Sequence, residues 1–288
     1  MSDSVVAAPE SPASAAHPIS LWKRRSLFPS LLLRPLYRLY ERRLCVAVRA
    51  NPVPQHVGII LDGNRRYARK FGITSPRAIY DIGARKLDDV LDWCAEIQVQ
   101  TVTLWVFSPE NLRRSGAEVS GILGAIEAKL AALAHDRRIH DKRVRVRAIG
   151  KLGVLPEPVL RAIRTAEQAT ASYGGMALNI AVGYGGRQEI IDAIAALLRD
   201  SISPAMSLSD AIEALTPEAI GRYLYTAGLP DPDLIIRTSG EIRLSGFMLW
   251  QSAHSEFYFT DVHWPAFRKI DFLRAIRSYQ SRKRRFGR

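Results

Sequence analysis

The chain has 288 residues, 47% hydrophobic and 24% charged, which fits one large or two small globular domains and excludes pervasive disorder and collagen-like repetition. No uninterrupted apolar run approaches the ~18 residues of a membrane span. Two cysteines, Cys45 and Cys94, lie outside any CxxC pair, which excludes a disulfide framework and a structural zinc site and leads us to expect a cytoplasmic protein.

The formal charge of +13 sits at the two ends. Residues 21–50 carry +7, residues 268–288 carry +8 and residues 1–20 carry −2, so residues 51–267 are neutral. A nucleic-acid reader spreads its basic patch over a folded docking face. Basic ends suit an anionic membrane surface or a few phosphate contacts instead. No nucleic-acid partner is expected.

In chain order, residues 1–20 are Ala-, Ser- and Pro-rich and read as a disordered segment, not a signal peptide. Residues 21–50 form a basic amphipathic helical segment. Leu36, Tyr37, Tyr40 and Leu44 recur at helical intervals opposite Arg38, Glu41 and Arg42, either packing on the domain or lying on a bilayer. Residues 51–288 form the main domain. Strands are expected at 57–61, 101–107, 144–149, 178–182, 234–237 and 247–250, and helices at 85–97, 118–134, 158–172 and 188–200. Such alternation, without internal repeats, predicts an α/β fold with a mostly parallel six-stranded sheet flanked by helices. Ligands of such sheets bind beyond the carboxyl ends of the strands.

The first strand runs into Asp62-Gly63-Asn64-Arg65-Arg66. Here glycine lets backbone approach a ligand, the next helix offers N–H groups to an anion, and Asp62 is a hard ligand for Mg2+. The second ends in Ser108-Pro109-Glu110-Asn111 with Arg113, Arg114 and Glu118 beyond it. The fifth ends in Arg237-Thr238-Ser239-Gly240-Glu241, followed by Arg243 and Ser245. One arginine after a strand is ordinarily solvated. Guanidinium forks beside hydroxyl and backbone donors at three strand ends suit diphosphate oxygens.

The segments HVGIILDGNRRYARK, TLWVFSPENLRR, LNIAVGYGGRQEII and DPDLIIRTSGEIRLSGFMLWQSAHSEFYFTDVHWPAF resemble, in order and spacing, the signature of the cis-prenyltransferases, the undecaprenyl diphosphate synthase family. The resemblance runs from about residue 54 to the C-terminus. It implies Mg2+-dependent condensation of isopentenyl diphosphate with an allylic diphosphate, in Z geometry, by a homodimer with a hydrophobic tunnel beside the sheet. By matching position, Asp62 would hold the metal and Glu256 would complete its shell, from either subunit. Gly63, Asn64, Arg65, Arg66, Tyr67 and Arg77 would hold the allylic diphosphate. Arg237, Arg243 and Ser245 would hold isopentenyl diphosphate, and Ser108, Asn111, Arg114 and Glu118 would position the reacting ends. Arg285 of the RxG tail would reach a neighbouring subunit's diphosphate.

Several positions depart from the family pattern: Arg65 replaces a glycine, Tyr67 and Leu112 replace tryptophans, and Tyr80 replaces a histidine. Together these resemble the bacterial short-chain (Z,E)-farnesyl diphosphate synthases. Val106, where long-chain members often carry alanine, is expected to narrow the tunnel below Ser108 and to limit product length, with a long-chain decaprenyl or undecaprenyl product as the alternative. No side chain is identified as the base; the diphosphate itself is a candidate. An inactive partner subunit would be expected to lack Asp62, which is present.

Overall fold

The structure is a computed structural model that describes residues 34–201 and 207–282. The expectations for residues 1–20, for residues 21–33 of the basic segment and for Arg285 lie outside these residues. The chain divides into two units, Met1–Leu39 and Tyr40–Arg288. Of the first, only the opening of helix α1 (Arg34–Arg49) is described. Within the second unit, Leu44, Cys45 and Val48 of α1 are buried, and Arg274 lies over the Tyr40 ring at 5.7 Å. Of the expected apolar face only Leu44 is covered, while Leu36, Tyr37 and Tyr40 are exposed.

Strand β1 (His56–Ile60) leads to helices α2 (Asn64–Lys70) and α3 (Pro76–Glu96). Then follow β2 (Thr101–Phe107), α4 (Gly116–Leu133), α5 (Arg137–Asp141), β3 (Arg145–Ile149), α6 (Glu157–Thr170) and β4 (Ala177–Val182). The remainder is α7 (Gly186–Ser201), α8 (Leu208–Glu213), α9 (Pro217–Gly221), β5 (Leu234–Arg237), β6 (Glu256–Phe259) and α10 (Lys269–Ser281). The six strands form one sheet in the order β3-β4-β2-β1-β5-β6, and every pairing is parallel. Helices therefore cover the sheet, and β1 and β5 are buried along their whole length. None of the helices among the described residues is long and apolar enough to cross a membrane.

The chain leaves β1 toward β2 on one side and later returns to β5 on the other. The order reverses at β1, where open parallel sheets bind ligands. Register brings the ends of β1 and β5 level, since Ile60 pairs with Arg237, while β2 runs on from Trp105, its other partner, to Phe107.

Five expected strands are present within a residue or so of their bounds. The sixth is displaced. Residues 247–250 form turns and β6 begins at Glu256. Their apolar character has another cause. Ser245, Gly246 and Met248 all have positive φ (52°, 96° and 46°), which breaks extended backbone, and Phe247 and Met248 are wholly buried as a plug over the sheet. The Phe247 ring stacks on Trp105 at 5.5 Å.

Candidate active site

The ends of β1, β2 and β5 surround a polar cleft of about 570 Å3. Asp62 stands at its centre. Its Oδ2 accepts from Arg237 Nη2 at 2.9 Å, and its Oδ1 accepts from the Gly63 N–H at 2.6 Å and more weakly from Arg66 Nη2 at 3.4 Å. Burial alone would raise the Asp62 carboxyl. The hydrogen bond and charge of Arg237, aided by Gly63 and Arg66, outweigh it and hold the group below the usual carboxylate range. The main chain is fixed too. Thr238 Oγ1 donates to the Asp62 carbonyl at 2.7 Å, and the Trp264 N–H donates to the same oxygen at 2.9 Å.

Gly63 has φ +98°, and a Cβ there would lie 2.8 Å from Ser239 Oγ and 2.9 Å from His263 Nδ1. No L side chain fits that turn. Helix α2 spans only seven residues, so arginine side chains rather than a helix dipole supply the positive charge here. Arg66 Nη1 donates to the Ser239 carbonyl at 3.1 Å and to Glu241 Oε1 at 3.2 Å. Arg237 is 4% exposed and donates through Nη1 to Ser245 Oγ at 2.7 Å and to the Arg243 carbonyl; among the described residues its Nε has no partner. Arg243 is exposed and pairs with Glu241.

Across the cleft, Asn111 Oδ1 accepts the Ser108 N–H at 3.0 Å and closes the short 3-10 turn after β2. Arg114 Nη1 donates to Tyr80 OH at 2.9 Å and to Glu118 Oε1 at 2.8 Å, while Tyr80 OH donates to the same carboxylate oxygen at 2.7 Å. Arg65 approaches it at 3.6 Å. Partial burial would raise Glu118, but the Tyr80 hydrogen bond and the two arginines hold it low. Burial, with the Glu118 hydrogen bond, pushes the Tyr80 phenol up to about 12.

Most of the expected residues therefore converge on the cleft lining; Glu118 stands behind it, reached through Arg114 and Tyr80, and three others lie away from it. Arg77, on the first turn of α3, pairs with Asp81 at 2.8 Å and packs against Gly124, away from the cleft lining. Tyr67 turns back onto Phe71, ring centroids 4.5 Å apart, and is also absent from the lining. Glu256 lies at the opposite end of the sheet from Asp62. It opens β6 and pairs with Leu234, three residues before the strand end at Arg237, and its carboxylate is held by Arg282. In a parallel sheet three residues separate the two levels by roughly 10 Å. Glu256 is thus outside its own chain's cleft. In the other direction, Arg69, Trp105 and Glu241 line the cleft but were not anticipated as site residues. The spacing of Arg65, Arg66 and Arg69 at i+3 and i+4 was the available signal for Arg69.

A second cavity, of about 90 Å3, runs between α3, α4 and the sheet and is almost wholly apolar. Leu61, Asn64, Tyr80, Val106 and Ile122 line both spaces and form the neck between them. Asn64 Nδ2 donates to the Leu61 carbonyl at 3.0 Å, and among the described residues its buried Oδ1 has no partner. Gly83 makes room for that oxygen, since a Cβ there would approach it to 2.5 Å.

An arginine-lined cleft opening into an apolar pocket agrees with the comparisons to known proteins. The profile of the undecaprenyl diphosphate synthase family matches residues 60–287. An isoprenyl transferase of Thermus thermophilus is 56% identical over 257 residues, covering 89% of this chain and 97% of that protein. A (2Z,6E)-farnesyl diphosphate synthase of Thermobifida fusca is 51% identical over 257 residues, covering 89% and 99%. The crystal structure of lavandulyl diphosphate synthase from Lavandula x intermedia in complex with dimethylallyl diphosphate superposes with a TM-score of 0.72 at 33% identity, covering 82% of this chain and 99% of that one. The chain belongs to the cis-prenyltransferases of the undecaprenyl diphosphate synthase family.

Proposed function

We propose that this prenyltransferase condenses one isopentenyl diphosphate with geranyl diphosphate and releases a fifteen-carbon (2Z,6E)-farnesyl diphosphate. The observation that carries the reading is the short apolar cavity behind the Tyr80–Val106–Ile122 neck. From Ile122 to Lys129 on α4, and from Tyr80 to Leu87 on α3, the cavity spans two helical turns, roughly 10 Å. An extended chain gains about 3.5 Å per three backbone bonds, so roughly 10 Å takes about two four-bond isoprene units. With one further unit at the neck, this supports a three-unit product. The 51% identity to a (2Z,6E)-farnesyl diphosphate synthase supports the same length.

In the reaction the bond from the allylic C1 to its diphosphate breaks, the isopentenyl double bond attacks that carbon, and a proton leaves the isopentenyl C2. Arg65, Arg66 and Arg69 on one side of Asp62 suit the allylic diphosphate, and Arg237, Arg243 and Ser245 on the other suit isopentenyl diphosphate. Preorganised guanidinium groups stabilise the charge that develops on the leaving group. Gly63 lets the backbone close on it, and Arg114 and Glu118, tied by Tyr80, hold the α3–α4 side of the neck. The diphosphate itself accepts the proton.

Among the described residues, no three His, Cys, Asp or Glu side chains are grouped to hold a metal ion. That fits Mg2+, which takes one or two carboxylates and completes its shell with substrate phosphates and water. Asp62 would supply the carboxylate, and the ion would neutralise developing diphosphate charge. Glu256, on the edge strand, would serve only a neighbouring subunit's cleft in a homodimer. The basic helix α1, with Leu36, Tyr37, Tyr40 and Val46 exposed, supports peripheral contact with an anionic bilayer. Co-flotation with anionic liposomes at low salt tests this contact.

Chromatography of dephosphorylated products from radiolabelled isopentenyl diphosphate, geranyl diphosphate and Mg2+ tests the main reading. Fifteen-carbon Z,E-farnesol is expected. A product of fifty or more carbons would make the chain a long-chain synthase instead.

A further inference from the structure

The apolar cavity has one charged residue in its lining, Lys129 of α4. It sits at the far end, two turns beyond Ile122, across from Leu87 of α3. Its ammonium is turned out of the cavity onto Asp88 Oδ1 at 2.5 Å, with side-chain exposures of 15% and 23%. Asp88 Oδ1 also receives Arg138 Nη2 from α5 at 2.9 Å, and Arg138 is fixed in turn by Asp136 at 2.7 Å. The four-methylene stem of Lys129 is thus left as apolar wall while its head is held outside.

We propose that the Lys129–Asp88 ion pair is the floor of the product cavity and determines where chain growth stops. This rests on the reading of that cavity as the seat of the growing chain. A longer chain must push the Lys129 stem aside, which separates two partly buried opposite charges. The remaining lining is apolar apart from Asn64 and Tyr80 at the neck, so it offers the displaced ammonium no acceptor at the far end. An uncharged leucine or methionine at this position would swing between rotamers without that penalty. The ion pair therefore makes a sharper stop than apolar packing alone.

The test uses the full chain with isopentenyl diphosphate, geranyl diphosphate and Mg2+, reading product length by chromatography. Lys129→Ala, which removes the stem, and Asp88→Asn, which releases the ammonium, are each expected to move the main product at least one five-carbon unit longer. Lys129→Arg, which keeps stem and charge, is expected to retain the wild-type length. A purely structural role would change melting temperature and rate but not the distribution of lengths. Wild-type distributions in both Lys129→Ala and Asp88→Asn would overturn the proposal; if Lys129→Ala does not fold, Asp88→Asn decides alone. A wild-type product longer than fifteen carbons would defeat the short-chain reading and leave this test intact, because the shift is measured against whatever the wild type makes.

Discussion

Arg237 and Asp62 meet across the gap between β5 and β1, Nη2 to Oδ2 at 2.9 Å, with side chains 5% and 29% exposed. The pair lies where the strand order reverses, and each partner is also held by other groups. Asp62 takes the Gly63 N–H, and Arg237 donates to Ser245. A carboxylate kept ionised between arginines would be ready to take a cation arriving with diphosphate.

Asp62→Asn preserves the shape of this contact while removing its charge. We expect turnover to fall roughly 10²- to 10³-fold, the typical loss for one preorganised electrostatic group. Steady-state transfer with labelled isopentenyl diphosphate measures it. Activity within tenfold of wild type would contradict the metal role.

Arg243 and Arg237 should separate binding from stability. Arg243 is 61% exposed, so Arg243→Ala should raise KM for isopentenyl diphosphate and leave the melting temperature unchanged. Arg237→Ala should raise the same KM and also cost roughly 2–4 kcal/mol, because it leaves Asp62 without its main partner; the partial exposure of Asp62 keeps the loss toward the lower end. A KM effect confined to the allylic substrate would mean that the two diphosphate sites are reversed.

The strand-end chemistry was legible because a parallel sheet gathers the ends of its strands, so short motifs following β1, β2 and β5 had to converge. Sequence proximity says least about position where motif neighbours are separated by the length of an element. Glu256 is near Thr260 and Asp261 in sequence, yet β6 carries it to the other end of the sheet. Residues 247–250 were apolar enough for a strand, but nothing in their composition revealed the positive φ angles that turn them into a plug. Lys129 gave no signal, since a lysine in an amphipathic helix ordinarily faces water. Only the helix pairing shows that its stem lines a cavity.

His56 makes stability depend on pH. It is fully buried at the start of β1; the Pro230 carbonyl can only accept, so Nδ1 carries the proton and Nε2 accepts from Thr103 Oγ1, both at 2.7 Å. Burial lowers its pKa from 6.5 to about 4, against weaker opposing effects of Pro230 and Asp233. In the unfolded chain the imidazole takes a proton below pH 6.5, which the folded state refuses until about pH 4. Stability contributed by the neutral ring is therefore present above pH 6.5 and lost as pH falls. Each pH unit costs about 1.4 kcal/mol, so close to 3 kcal/mol should be gone by pH 4. Urea unfolding between pH 7 and 4.5 should show this decline, and His56→Gln should flatten it. Equal slopes in the two proteins would assign the acid sensitivity elsewhere.

Val106 sits at an irregularity in the sheet. Trp105 pairs with Ala181 and Phe107 with Val182, so Val106 is the extra residue between two paired ones. The simple two-residue alternation that would align it with Ser108 is broken there, as β-bulges do when they re-aim a side chain. The outcome is nevertheless a place on the neck, since Val106 lines both the polar cleft and the apolar cavity. Val106→Ala removes two methyl groups from that constriction and should cost about 1–2 kcal/mol in stability. We expect it to lengthen the main product by one five-carbon unit from the same primer, housed at the widened neck above the Lys129–Asp88 floor. Combining it with Lys129→Ala should then give longer chains than either change alone. Product chromatography reads all three variants, and an unchanged length distribution in Val106→Ala would remove the neck as a determinant of chain length.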